Sequence, residues 1–272
     1  MKYKVYMRSE KSWNPGHRVN EDSYMFSEYS FMGDQQKIRL MVVADGMGGH
    51  DDGEKASADA VRGFLVSVYG KMVDMYLRNK HVERFSAAYF ADQMIEVIEA
   101  AVIDANREVC DKAERYKRTG TTLSVVCVMD TYAIITNVGD TPVFFYNARE
   151  KSLKLVSTLQ TQAEKDATDG KYKRYSSEYY KNDHILTNSL GFGEKLDREE
   201  IRTYVIGKLE EGDMFLVGSD GAFGRMSEAE IQSILECEED ERDFVLDRLF
   251  SEARLDKFDD QTALWCVVTE EE

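Results

Sequence analysis

The sequence predicts an α+β fold in which two antiparallel sheets are covered by pairs of helices. Three observations support this. Apolar, β-branched runs recur along the chain, at 38–44, 123–129, 132–138, 214–217 and 263–269. Two long helical patterns, at 53–78 and 86–117, follow one another directly instead of alternating with strands, so the βαβ rhythm of a doubly wound parallel sheet is absent. The connections Asp130-Thr131 and Gly139-Asp140 are too short for parallel crossovers and suit an antiparallel meander.

Each element has its own signal. Residues 1–45 read as strands: an N-terminal segment, then 23–26, then 38–44. From Gly53 the period changes, and Ala56, Ala60, Phe64, Leu65, Val68 and Met72 fall on one helical face. In the second helix Phe90, Met94, Val97, Ile98, Ala101, Val102 and Ala105 recur at three and four, with Ser86 as N-cap. Strand periodicity returns after Gly120 and gives the meander 123–129, 132–138 and 142–146. Residues 157–185 are polar, carry Tyr172, Tyr175, Tyr179 and Tyr180, and are expected to form a surface flap. Strands at 201–206 and 214–217, short helices at 228–236 and 242–253, and a last strand at 263–269 complete the order.

With 43% hydrophobic residues, two prolines and no Ser/Gly/Pro-rich linker, the 272 residues read as one domain, 1–272. A net charge of −16 argues against nucleic-acid binding, which needs basic patches to displace counterions. The same charge repels a phosphorylated partner at long range, so such a partner must be recognised locally. Cys110, Cys127, Cys237 and Cys266 form no CxxC pair, and two of them lie in apolar runs as buried thiols do. No signal peptide opens the chain and no run approaches a membrane span, so the expected location is cytoplasmic, without membrane attachment.

The chemistry lies in aspartates at strand ends. Asp45-Gly46 follows the run 40–44, and Ser219-Asp220-Gly221 follows 214–217. Asp140 closes Asn137-Val138-Gly139-Asp140, and Asp259-Asp260 precedes 262–268. One Asp-Gly is a common turn. Four aspartates at the ends of buried-looking strands are costly unless something compensates them. An aspartate followed by glycine exposes a carboxylate and an unhindered carbonyl, the oxygen donors that hard divalent cations take.

Other phosphate chemistries are excluded. A cysteine phosphatase needs an arginine six residues after its cysteine, yet Tyr116, Ala133 and Asp243 stand six after Cys110, Cys127 and Cys237. No aspartate has another two positions on, as an aspartyl-phosphate enzyme would want, and GxxxxGK[ST], HExxH and GxSxG are all missing. A metal-activated water with carboxylate ligands remains.

Seven segments in order then resemble the metal-dependent protein serine/threonine phosphatases (the PPM, or type 2C, family) in their bacterial form. They are Arg18-Val19-Asn20-Glu21-Asp22, Ala44-Asp45-Gly46-Met47-Gly48-Gly49-His50 with Gly53-Glu54-Lys55-Ala56-Ser57, and Thr119-Gly120-Thr121-Thr122. Asn137-Val138-Gly139-Asp140, Leu186-Thr187-Asn188-Ser189-Leu190-Gly191, Ser219-Asp220-Gly221 and Asp259-Asp260-Gln261-Thr262 follow. The resemblance implies a four-layer αββα sandwich and two Mn2+ or Mg2+ ions with a third, weaker site. It further implies hydrolysis of phosphoserine and phosphothreonine by direct attack of a metal-bridged water. Asp45 would bridge the two ions, with the Gly46 carbonyl on one and Asp220 and Asp259 on the other. Asp140, with Asp220, matches the weaker site, and Glu21 and Asp22 would hold metal-bound waters. The implied partners are phosphorylated proteins, substrates of a cognate serine/threonine kinase.

The chain also departs from the pattern. The family's phosphate-binding arginine falls at His17, one residue before Arg18. Arg18 is the better donor on chemical grounds, since a guanidinium meets phosphate with two parallel hydrogen bonds. Met47 stands where animal members carry a histidine that protonates the leaving alcohol, and His50 is expected to be structural. Thr141-Pro142 and Asp260 also differ from the usual residues and are expected to touch no proposed ligand; His81 and His184 carry no signal. The tyrosines at 172–180 either help to choose substrates or cover apolar surface. The competing reading is a phosphatase-like regulatory module without turnover, which would be expected to have lost its ligands.

Overall fold

The computed structural model describes residues 1–31, 36–47, 52–79, 87–113, 119–129, 131–193, 195–255 and 258–269. The expectations for Ser86, His50, Gly48, Gly49, His81 and Asp130 lie outside these residues.

One sheet has the order β1-β10-β9-β6-β7, built from β1 (Lys2–Glu10), β6 (Val143–Asn147), β7 (Ser152–Leu155), β9 (Met214–Gly218) and β10 (Gln261–Thr269). The other has the order β2-β3-β4-β5-β8, built from β2 (Asp22–Phe31), β3 (Gln36–Asp45), β4 (Leu123–Met129), β5 (Tyr132–Val138) and β8 (Arg202–Gly207). Every pairing is antiparallel. Helices α1 (Gly53–Asn79) and α2 (Ala87–Ala113) cover the second sheet. The short helix α3 (Gln162–Thr168) lies in the expected flap, and α4 (Glu228–Leu235) and α5 (Val245–Ala253) cover the first sheet. The result is the expected αββα sandwich.

Strand alternation generates these layers. On β3, Leu40, Val42 and Ala44 face α1 and α2, while Met41 and Val43 face the opposite sheet. On β4, Leu123, Val125, Cys127 and Met129 take the helix side, and Val126 and Val128 the side between the sheets. Phe215, Val217, Leu264 and Cys266 meet them from the first sheet. Strands buried on both faces lose the polar half of their alternation, which is why these segments read as unbroken apolar runs. The outer core of the first sheet centres on Trp265, 0% exposed and stacked on Tyr6 at 4.9 Å between centroids.

Besides α3, two elements differ from expectation. The polar stretch after β6 returns as β7, which pairs Phe144 with Leu155, and the predicted helix 242–253 divides. Residues Glu239–Phe244 make tighter 3-10 turns before α5 begins at Val245. Helix α4 is closed by a capping box: the Ser227 amide donates to Glu230 Oε2 at 2.8 Å, and the Glu230 amide to Ser227 Oγ at 3.4 Å.

Register gathers the functional ends. Asp22 opens β2 directly opposite Asp45, the last residue of β3. Val43 faces Ser124, and Leu123 faces Val138, so the start of β4 and the end of β5 lie beside them. In the first sheet, the end of β9 at Gly218 pairs with Ala263, beside Asp259 and Asp260. One end of the sandwich thereby receives aspartates from both sheets.

Candidate active site

A single open cleft of about 570 Å³ at that end is lined by His17, Glu21, Asp45, Gly46, Met47, Asp140, His184, Asp220, Asp259 and Asp260, among others. Of the expected site residues, Asp22 lies behind the cleft wall and Arg18 is exposed outside its lining.

Asp45 is held by its backbone. Its amide donates to Thr122 Oγ1 at 2.9 Å, and its carbonyl accepts from the Thr122 amide at 2.9 Å and Thr121 Oγ1 at 2.8 Å. The Gly46 amide donates to the Glu21 carbonyl at 3.1 Å, and a Cβ on Gly46 would lie 2.3 Å from the Gly53 carbonyl oxygen, so only glycine fits. Met47 continues the pattern through its amide to the Gly120 carbonyl at 3.0 Å. The Thr-Gly-Thr-Thr segment thus serves as the bracket for the Asp-Gly turn.

The opposite wall is built similarly. Ser219 Oγ donates to Asp22 Oδ2 at 2.7 Å and accepts from the Thr262 amide at 3.0 Å, linking β2, β9 and β10. A Cβ on Gly221 would lie 2.0 Å from the Asp260 carbonyl oxygen, so the Asp220 turn and the Asp259 loop approach through glycine. Gly139, at φ 96°, turns the chain into Asp140, and its amide donates to Gln160 Oε1 at 2.7 Å.

The carboxylates repel one another. Burial, and then the charges of Asp22, Asp220, Asp140 and Asp259, push the Asp45 carboxyl well above the usual range. Burial raises Asp22 to about 7, against hydrogen bonds from Ser219 and Thr262 that favour its ionised form. Glu21 is also raised by burial, while nearby His17 opposes the shift. Asp22 Oδ1 is buried without a hydrogen-bond partner among the described residues. Converging oxygen donors, raised carboxyls and an unsatisfied buried acceptor together fit a site for hard divalent cations.

Asp260 corrects the sequence reading, in which it touches no proposed ligand. The Asp260 amide donates to Asp259 Oδ1 at 2.9 Å. The Asp260 carboxylate, 4% exposed, accepts from the Ser12 amide, the Glu21 amide and His17 Nε2, each at 2.7 Å. It therefore fastens the 12–21 loop to the start of β10 and orients the His17 ring. Thr141 Oγ1 is hydrogen bonded to Thr122 Oγ1, the atom that receives the Asp45 amide. His184, without signal in the sequence, lines both the cleft and a neighbouring pocket.

Comparison with known proteins agrees with this fold. The profile of the family described as Protein phosphatase 2C matches residues 17–258. Protein phosphatase PhpP of Streptococcus pneumoniae is 27% identical over 197 residues, covering 72% of each chain. The crystal structure of serine/threonine phosphatase Stp1 from Staphylococcus aureus superposes with a TM-score of 0.75 at 19% identity, covering 99% of this chain and 96% of that one. The catalytic domain of serine/threonine protein phosphatase PstP, solved in complex with two manganese ions, gives 0.70 at 21% identity, covering 98% and 99%. Strand-end carboxylates meet at one end of an αββα sandwich, and the family match makes the chain a protein phosphatase. The chain belongs to the protein phosphatase 2C family.

Proposed function

We propose that this chain is a Mn2+- or Mg2+-dependent phosphatase acting on phosphoserine and phosphothreonine in proteins phosphorylated by a cognate serine/threonine kinase. The observation that carries this reading is that Asp45, Gly46, Asp140, Asp220 and Asp259, from four separate strand ends, line one cleft. A binding module without turnover would have no need to keep them together. Asp45 and the Gly46 carbonyl, with Asp220 and Asp259, would hold two ions, and Asp140 with Asp220 a third. When bound, such ions polarise a water for direct attack on phosphorus and neutralise charge on the phosphoryl oxygens. Glu21 and Asp22 flank these residues and would accept hydrogen bonds from metal-bound waters. Phosphate release from phosphothreonine peptides and an aryl phosphate, compared in Mn2+, Mg2+ and EDTA, tests the reading. Activity is expected with either metal and none in EDTA; turnover persisting in EDTA would sink it.

His17 is the phosphate contact the geometry supports. It lines the cleft and Asp260 holds its Nε2, whereas the exposed Arg18 does not reach the lining. His17→Ala is expected to raise KM for an aryl phosphate about tenfold, as loss of one charge-assisted hydrogen bond would. Arg18→Ala should leave KM within twofold. The reverse ranking would return the role to Arg18.

A further inference from the structure

Beside the carboxylate cleft lies a second cavity, of about 220 Å³, that shares Asp140, Asp220 and His184 with it. Its remaining walls are mostly apolar. Leu159, Tyr175, Tyr179 and Tyr180 come from the 157–185 segment, and Phe223 and Met226 from the turn after Asp220.

These walls are built and braced. Tyr179, 4% exposed, donates from its hydroxyl to Glu164 Oε1 at 2.6 Å, and Arg174 pairs with the other oxygen of that carboxylate at 2.5 Å. Tyr175 and Tyr180 pack on Tyr179 at 5.6 and 5.8 Å between centroids, and the Arg225 guanidinium lies 4.7 Å over Tyr180. Tyr175 adopts φ 61°, a left-handed conformation uncommon for a bulky side chain, and remains 54% exposed. Backbone strain that leaves an aromatic ring exposed at the edge of a cavity is costly, and such strain concentrates at ligand-binding positions.

We propose that this cavity is a specificity subsite, taking an aromatic or long aliphatic side chain close in sequence to the phosphorylated residue of the protein substrate. The proposal rests on the reading of the adjoining cleft as the phosphatase centre. Continuity of the two lining sets places the subsite within reach of a peptide whose phosphate sits among the carboxylates, since an extended chain advances about 3.3–3.6 Å per residue. Tyrosine, leucine and methionine walls favour apolar contact area, and Asp140, Asp183, Asp220 and Glu228 in the lining outweigh Arg225 and disfavour an acidic side chain. On this proposal the tyrosines take the first of the two roles the sequence left open: Tyr175, Tyr179 and Tyr180 wall a cavity that opens beside the carboxylate cleft.

The test is a set of phosphothreonine peptides with Phe, Leu, Ala or Asp placed in turn at each of three positions on either side of the phosphorylated residue. At one position Phe and Leu are expected to exceed Ala in kcat/KM by about tenfold, the effect of burying one large apolar side chain, with Asp below Ala. Leu159→Trp, which fills the cavity, and Tyr180→Ala, which removes a wall, should each bring the Phe-to-Ala ratio near one. The same peptides bearing a non-hydrolysable phosphonate, titrated into the protein with Mn2+ present and followed by fluorescence anisotropy, should show the same preference in Kd. Hydrolysis without positional preference, or a preference that survives both variants, overturns the subsite and leaves the phosphatase reading intact. Phosphonate binding with a Phe preference but no turnover in any metal supports the subsite and overturns the phosphatase reading.

Discussion

Asp45→Asn is expected to lower kcat/KM by at least about a thousandfold with Mn2+ present, which is about 4 kcal/mol of transition-state stabilisation. The substitution keeps the size of the side chain and removes its charge. An amide offers one neutral donor oxygen where a carboxylate offers two anionic ones, so it is a poor bridge between cations. The fold should survive, because the turn is held through the Asp45 backbone by Thr121 and Thr122 and not through its side chain. Without metal the variant is expected to melt at or above the wild-type temperature. It no longer carries a buried carboxylate surrounded by Asp22, Asp220, Asp140 and Asp259. Circular dichroism, thermal melts in EDTA and phosphate release measure the three parts. Near-normal turnover would remove Asp45 from the reaction; lost turnover with lost structure would make its role architectural.

The strand-end aspartates of the cleft were legible in the sequence because their signal is local. An apolar run followed by aspartate and glycine states both where a strand ends and which side chain it delivers, and this located Asp45, Asp220 and Asp140. The layered fold was legible for a related reason, since runs without polar alternation, such as 38–44, mark strands covered on both faces. Asp260 was not legible. Its partners Ser12 and Glu21 lie 248 and 239 residues away, and nothing near position 260 announces that the carboxylate holds the distant loop. Asp260 also holds His17, which lines the cleft, while Arg18 lies outside its lining. Helix α3 was hidden by its polar face, which buries Glu164 and Asp166 beside Ala163. Polar residues buried against specific partners look like surface until the partners are known.

Metal is expected to stabilise this protein far more at pH 8 than at pH 5.5. In the metal-free protein Asp45, Asp22 and Glu21 all titrate above their ordinary values, Asp22 at about 7, with burial the first cause in each. A carboxyl whose folded pKa is raised binds more protons folded than unfolded. Its contribution is fully present below the unfolded value, near 4, and is lost as pH rises through the folded value, near 7 for Asp22. The metal-free protein therefore loses stability across that interval through these groups. Divalent cations bind the ionised carboxylates and must displace protons from them at low pH, so their stabilisation grows over the same interval. Thermal melts in EDTA and in excess MnCl2, at both pH values, isolate the effect, because salt bridges elsewhere cancel in the difference. The gain in Tm should be larger at pH 8 by several degrees, and Asp22→Asn should flatten part of that dependence by removing one of the raised carboxyls. An equal gain at both pH values would mean that the ions bind somewhere other than this cluster. A gain at pH 8 that Asp45→Asn leaves intact would place them in the cleft but away from the Asp45 turn.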